Sequence, residues 1–165
     1  MEKQELKEFC TQISEIIAKT NNENVFENII TFFNLTSLLH DRKDEIYAIP
    51  IAQKKPTFIM RLLKRKKADE IYEIIKQQEN EKILLFKAIT NAGRWEGGCN
   101  RSKKGETVTK QNVFFGARVV GPKSVPIVTL EQYKSTEPKI YNAVASQMTN
   151  FVKNFEGCFD NTNWL

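Results

Sequence analysis

"PTFIMRLLKRKKADE", residues 56–70, decides whether the chain forms one long helix at this point or two. On a helical wheel the apolar side chains of this stretch fall on one side and the cations on the other. Continuing the same helix past Lys66 would turn the following acids toward the apolar side. The pattern therefore predicts a break near 66–69, a short first helix anchored to the core by its apolar side, and a new helix over about 68–91. The apolar stripe predicted for that new helix consists of Ala68, Ile71, Tyr72, Ile75, Ile83, Leu84, Phe86 and Ile89.

Three further helices are predicted from apolar residues that recur at intervals of three and four. The first covers about 6–17 and is ended by "TNN" at 20–22, and the second begins at about Glu23. The last runs over about 137–156, with a proline near its start and a glycine after its end. Between the second helix and the quoted stretch, "IYAIPIA" at 46–52 predicts a short buried connector.

A run rich in β-branched residues, "TVTKQNVFFGARVVGPKSVPIVTL", differs from the helical patterns on either side. It predicts two short strands around 112–120 and 125–130, joined near "GPKS". A partly helical structure of 124–134 stays an open alternative. The predicted fold class is therefore mainly α (α+β): an N-terminal helical bundle, a small two-stranded β element around 112–130, and a long C-terminal helix.

The chain length of 165 residues suits a single domain. We expect residues 1–165 to form that domain, with a helical part at 1–92, a basic loop at 93–106, and the β element and C-terminal helix at 107–165. The glycines and cations of "NAGRWEGGCNRSKKGE", residues 91–106, make it the most loop-like segment.

Composition argues against several classes of protein. The first ten residues carry acids and lack the apolar core of a secretory signal, and no apolar run approaches the roughly 18 residues of a membrane helix. Three cysteines without a CxxC pair indicate neither a disulfide framework nor a zinc site, and His40 is the only histidine. We expect a non-enzymatic protein without metal or cofactor, in the cytoplasm or nucleus and not secreted.

Positive charge is concentrated in two segments. Residues 54–67 hold seven cations and no anion, and residues 93–123 hold seven cations against two anions. Residues 1–53, in contrast, hold five cations and nine anions. Single-sign blocks of this kind suit an anionic partner, although a solvated patch has the same composition.

Three roles are open to the basic helix. Its cations can contact the phosphates of a nucleic acid, it can dock on a membrane surface or a partner helix, or it can be a solvated face paired with the acidic N-terminal part. The sequence "KRKK" at 64–67 also fits a nuclear localisation signal. We favour nucleic acid, because phosphate binding needs lysine and arginine presented on one rigid face.

The loop "GRWEGGCNRSKKG" favours RNA or single strands, since an aromatic ring among cations can stack on a base beside the backbone charges. The alternative for Trp95 is packing into the core at a helix end. The residues predicted to bind nucleic acid are Lys54, Lys55, Arg61, Lys64, Arg65, Lys67, Arg94, Trp95, Arg101, Lys103 and Lys104.

The tail "GCFDNTNWL" carries Phe159, Trp164 and Leu165, which are costly to leave in water. They either fold back onto their own domain or dock on a second copy, so a homo-oligomer is a second expected partner. The sequence therefore predicts an RNA- or single-strand-binding protein, which a self-associating tail would make a nucleoprotein or coat-like subunit. The alternative is an interaction module that docks on an acidic protein through the basic helix or the aromatic tail.

Overall fold

A computed structural model of the chain describes residues 1–96, 134–135 and 137–165. Within these ranges the chain folds into six α-helices and contains no strand. The helices are α1 (Lys3–Lys19), α2 (Val25–Asp41), α3 (Lys43–Ala48), α4 (Phe58–Leu63), α5 (Arg65–Glu96) and α6 (Pro138–Lys153). Buried side chains of α1, α2, α5 and α6 join those of the C-terminal tail in one hydrophobic cluster.

The predicted fold class, mainly α with a small β element, is corrected to all-helical for the described part of the chain. Helices alone build its core, so no sheet contributes a layer there. The strands predicted at about 112–120 and 125–130 lie outside the described residues. Their prediction depended on β-branched composition, which is a weak and context-dependent signal. The mostly helical character is confirmed.

Helix α2 lies at the centre of the core and packs against α1, α5 and α6. Its side chains Ile29 and Phe32 are fully buried. The ring of Phe32 lies 5.4 Å from that of Phe155 and 6.2 Å from that of Phe151, centroid to centroid. A helix that is apolar on several sides must be covered on several sides, and this explains why α2 is the one surrounded by the others.

Helix α1 has the amphipathic stripe that the sequence predicts, with Leu6, Cys10 and Ile13 buried against the core. It ends at Lys19, directly before "TNN", as predicted. Its free C-terminal carbonyls are satisfied from another helix: Lys153 Nζ of α6 donates to the carbonyl of Ile17 at 2.6 Å. The lysine thereby ties α6 to the end of α1.

The passage predicted as a connector at 46–52 begins instead inside the short helix α3, and the chain leaves the helical conformation at Ile49. Ile46 and Ile49 are buried, as the prediction required. Lys82 of α5 closes the end of α3, because its Nζ donates to the carbonyls of Tyr47 at 2.5 Å and Ile49 at 2.6 Å. Partial burial lowers the pKa of this lysine.

Helix α5 has 32 residues and is about 48 Å long. Only its C-terminal part, from Leu85 to Ala92, joins the hydrophobic cluster. The sequence placed Ile83 and Leu84 in the core, but they are 48% and 42% exposed, whereas Leu85 is 1% exposed. That part of the prediction is wrong because consecutive apolar residues offer more positions than one helix face can bury, and the neighbouring helices select among them.

The C-terminal tail folds back onto its own chain. Phe159 and Trp164 are buried in the core, and Leu165 packs against it. The carbonyl of Trp164 accepts a hydrogen bond of 2.7 Å from the backbone N–H of Ala52. Gly157, with φ +78°, makes the turn that brings the tail back. This is the first of the two alternatives for the tail, and Phe159 and Trp164 would have to leave the core to contact a second copy.

An ion-pair network joins the start of α3 to α1. Arg42 donates through Nη1 to Glu5 at 2.7 Å and through Nη2 to Glu45 at 2.9 Å. The hydrogen bonds from Arg42 and from the α-amino group of Met1 lower the pKa of Glu45 to about 2. The carboxylate is therefore held in its charged form by the fold.

We expect Lys82→Met to lower the free energy of unfolding by about 1–3 kcal/mol, because two carbonyls would lose a charged donor. Urea denaturation measures this, with Lys87→Met as the control on an exposed lysine of the same helix. Equal effects of the two substitutions would show that Lys82 does not hold the end of α3.

We expect Glu45→Gln to lower stability at pH 7 and to have no effect near pH 2. The pKa of Glu45 is lower in the folded chain than its ordinary value, so its contribution is present above that ordinary value and is lost as the pH falls from about 5 to about 2. Urea denaturation at both pH values measures the difference, with Glu23→Gln as an exposed control. A difference that persists unchanged at low pH would contradict the role of the charge.

Candidate functional site

The basic stretch of residues 54–67 forms a bend, here called the basic elbow, that consists of the end of the connector, α4 and the first turn of α5. Thr57 starts α4, since its side-chain oxygen accepts a hydrogen bond of 3.3 Å from the N–H of Met60. The connector before it is fixed, because the N–H of Gln53 donates to Oε1 of Gln78 at 2.9 Å. Lys54 and Lys55 therefore follow an anchored residue.

A single residue, Lys64, separates α4 from α5. Its backbone (φ −135°, ψ 56°) is not helical. Its N–H donates to the carbonyl of Met60 at 2.8 Å, and its own carbonyl accepts from the N–H of Ala68 at 3.0 Å. A break was predicted at 66–69, so the break is confirmed but its position is wrong: it lies earlier, and Arg65, Lys66 and Lys67 belong to the second helix.

The cations of the elbow are all exposed. Within the described ranges, no ion pair joins any of them to a carboxylate. This counts against the alternative in which they pair with the acidic N-terminal part of the chain. An open recess of about 450 Å³ lies at the bend and is lined by Leu63, Lys64, Arg65, Lys66, Lys67 and Glu70.

The apolar side of α4 is not buried, contrary to the prediction that it anchors this helix to the core. Phe58, Ile59 and Leu62 are 65–67% exposed and Leu63 is 78% exposed. Only Met60 of this helix is partly buried. An amphipathic pattern shows that an apolar stripe needs a cover, but does not show that the chain's own core supplies it.

The other predicted cluster begins at the far end of α5. Arg94 and Trp95 lie in its last turn, so the helix continues into the segment predicted as a loop from 91. At 1.5 Å per residue, the backbone of Arg94 is about 44 Å along the axis from that of Arg65. The helix therefore separates these two sites rather than bringing them together. Arg101, Lys103 and Lys104 lie outside the described residues.

Besides the exposed apolar side of α4, the sequence did not predict an open groove of about 460 Å³ along the middle of α5. Ile74, which is 44% exposed, and Leu84 lie in it beside the carboxylates of Glu73 and Glu81. Nε2 of Gln77 donates to Oε1 of Glu81 at 3.1 Å, whereas Oε2 of Glu81 is buried and has no partner among the described residues. The available signal was Ile74, which falls off the predicted apolar stripe of this helix.

His40, the only histidine, has a packing role. It lies against Gly93 of α5, where an added Cβ would collide with the imidazole ring. The described residues contain no group of three or more His, Cys, Asp or Glu side chains that could hold a metal ion. Among the described helices, none is long and apolar enough to cross a membrane.

Comparisons with known proteins found no match: no family model, no curated protein and no solved structure is significantly similar to this chain. The role of the basic elbow is therefore inferred from the chemistry and position of its side chains.

We expect Leu63→Gln to change the free energy of unfolding by less than about 0.5 kcal/mol, because Leu63 is already exposed to water. The buried Ile89→Gln is the matched contrast, and we expect it to cost several kcal/mol, since it places a polar group in the core. Urea denaturation measures both. A large loss in Leu63→Gln would show that the apolar side of α4 is covered within the chain.

Proposed function

We propose that the protein binds nucleic acid, RNA or single strands in preference to duplex DNA, through the basic elbow and without catalysing a reaction. The observation that carries this proposal is the set of exposed cations in residues 54–67, which contain no acid and make no ion pair in the described part of the chain. Unpaired cations keep their full charge available for phosphates, and releasing counterions from those phosphates favours binding.

The start of α5 supports an anionic ligand. Acids normally occupy the first turn of a helix, because they interact favourably with the positive end of the helix dipole. The first turn of α5 contains no acid and instead carries Arg65, Lys66 and Lys67. Their charges repel one another and the helix end, and a bound phosphate would relieve both repulsions.

The preference for unpaired bases is supported by Phe58. Its ring is 65% exposed, and the guanidinium of Arg61 lies 5.8 Å from the ring centroid. An exposed ring next to a cation is the combination on which bases of a single strand can stack while the backbone is neutralised. Bases inside a duplex are already stacked and offer no free face to such a ring.

The tested variant is R61A/K64A/R65A/K67A, and its control is K7A/K19A/K87A/K139A, which removes the same charge from exposed lysines elsewhere. Binding of a single-stranded RNA, a single-stranded DNA and a duplex DNA is measured by fluorescence anisotropy between 50 and 300 mM salt (about the range in which phosphate contacts are lost). We expect the elbow variant to bind at least about tenfold more weakly, with a shallower slope of log affinity against log salt.

The control variant should keep the slope of the unmodified chain. Equal losses in both variants would show that only net charge matters, which would contradict a site at the elbow.

Phe58→Ala should reduce binding of the single strands more than binding of the duplex. If it reduces both equally, the preference for single strands is wrong while nucleic-acid binding stands.

A further inference from the structure

The exposed apolar side of α4 needs an explanation that phosphate binding does not give. Aliphatic side chains such as Ile59, Leu62 and Leu63 gain nothing from a phosphate, and exposing them costs free energy unless something covers them. They share their short helix with Arg61, and Lys64 follows directly. A surface that covers this helix must therefore offer apolar side chains together with negative charge.

The groove on α5 has that combination. Ile74 and Leu84 supply apolar surface. Glu73 and Glu81 supply two negative charges against the one positive charge of Lys76, which also lines the groove. The stretch of α5 from 69 to 82 holds five carboxylates against two lysines. The buried Oε2 of Glu81 has no partner in the described part of the chain, and an unpaired buried carboxylate oxygen is stabilised by an incoming cation.

The two surfaces do not cover each other within one chain. No residue of α4 lines the groove, and Leu62 and Leu63 remain exposed. A symmetric contact in which two copies join α4 to α4 is disfavoured, since it would bring together two segments of seven cations each. A contact of α4 on one copy with the α5 groove on another is attractive instead, because it brings cations next to carboxylates.

We propose that copies of this chain associate head to tail, with α4 of one copy seated in the α5 groove of the next. Leu62 and Leu63 cover Ile74 and Leu84, and Arg61 or Lys64 reaches the acids of the groove. Because the two surfaces differ, the contact is heterologous and repeats until it closes a ring or extends a filament. Lys54, Lys55 and the first turn of α5 stay outside the contact. The inference is independent of nucleic-acid binding and is tested without nucleic acid.

The test uses two charge-reversed variants of the full chain. The tip of the contact is the end of α4 with Arg61 and Lys64, and the tip variant is R61E/K64E. The groove variant is E73K/E81K. Each is treated with nuclease, checked for folding by circular dichroism and examined by sedimentation velocity over a range of concentrations. We expect the unmodified chain to associate as concentration rises, and each variant alone to associate at least about tenfold more weakly, because each contact then joins like charges.

An equimolar mixture of the two variants gives the decisive result. The acidic tip of the first variant fits the basic groove of the second, and the native basic tip of the second fits the native acidic groove of the first. We therefore expect the mixture to recover the association of the unmodified chain. If Glu81→Lys unfolds the groove variant, Glu73→Lys alone, at an exposed position, replaces it in the same mixture.

Three outcomes would overturn the proposal: an unmodified chain that stays monomeric, a tip variant that associates as well as the unmodified chain, or a mixture that recovers nothing.

The variant L62Q/L63Q distinguishes self-association through α4 from binding of α4 to a lipid surface. It should weaken self-association without changing sedimentation with phosphatidylserine vesicles. Loss of vesicle binding from a monomeric chain would assign the apolar side of α4 to lipid instead.

Discussion

The packing of α2 against the C-terminal part of α5 is the contact on which the remaining structure depends. Helix α2 is apolar on several sides, and α1, α5 and α6 surround it. Since α5 is about 48 Å long and the cluster holds only its last third, the rest of α5 extends beyond the core. The acidic groove lies on that extension and the basic elbow lies at its end. The opposite side of the extension is covered, since Ala68 and Ile75 are buried.

Two lysines complete the packing by closing helix ends that their own helices leave open. Lys153 donates to the last carbonyls of α1, and Lys82 donates to those of α3. Lys82 also lies 5.1 Å from the ring centroid of Tyr47 and 5.5 Å from that of Trp164. One side chain thus connects α3, α5 and the tail, and fixes the connector from which the elbow begins.

The sequence predicts α1 and α6 well, because each has one periodic apolar stripe with a recognisable end. It also locates α2, which is apolar on several sides and starts at Val25, close to the predicted Glu23. It fails where several apolar residues are consecutive, as at Ile83 and Leu84, since the covering helices choose which of them is buried. The cations of the elbow could be found from charge alone. The exposure of Leu62 and Leu63 could not, because an apolar stripe has the same pattern whether its own core or another molecule covers it. The groove on α5 depends on the shape of a surface, which periodicity does not report.

The packing at Gly93, near the C-terminal end of α5, affects the position of the basic elbow at the other end of this helix. A side chain at this position would collide with the imidazole of His40, so the close approach of α5 to α2 here requires a glycine unless His40 shifts. Arg65 lies about 42 Å along the axis from this contact. A rotation by one residue at Gly93 would turn the whole extension by about 100°. The direction in which the elbow faces therefore depends on how Gly93 and the buried residues near it pack at the other end of the helix.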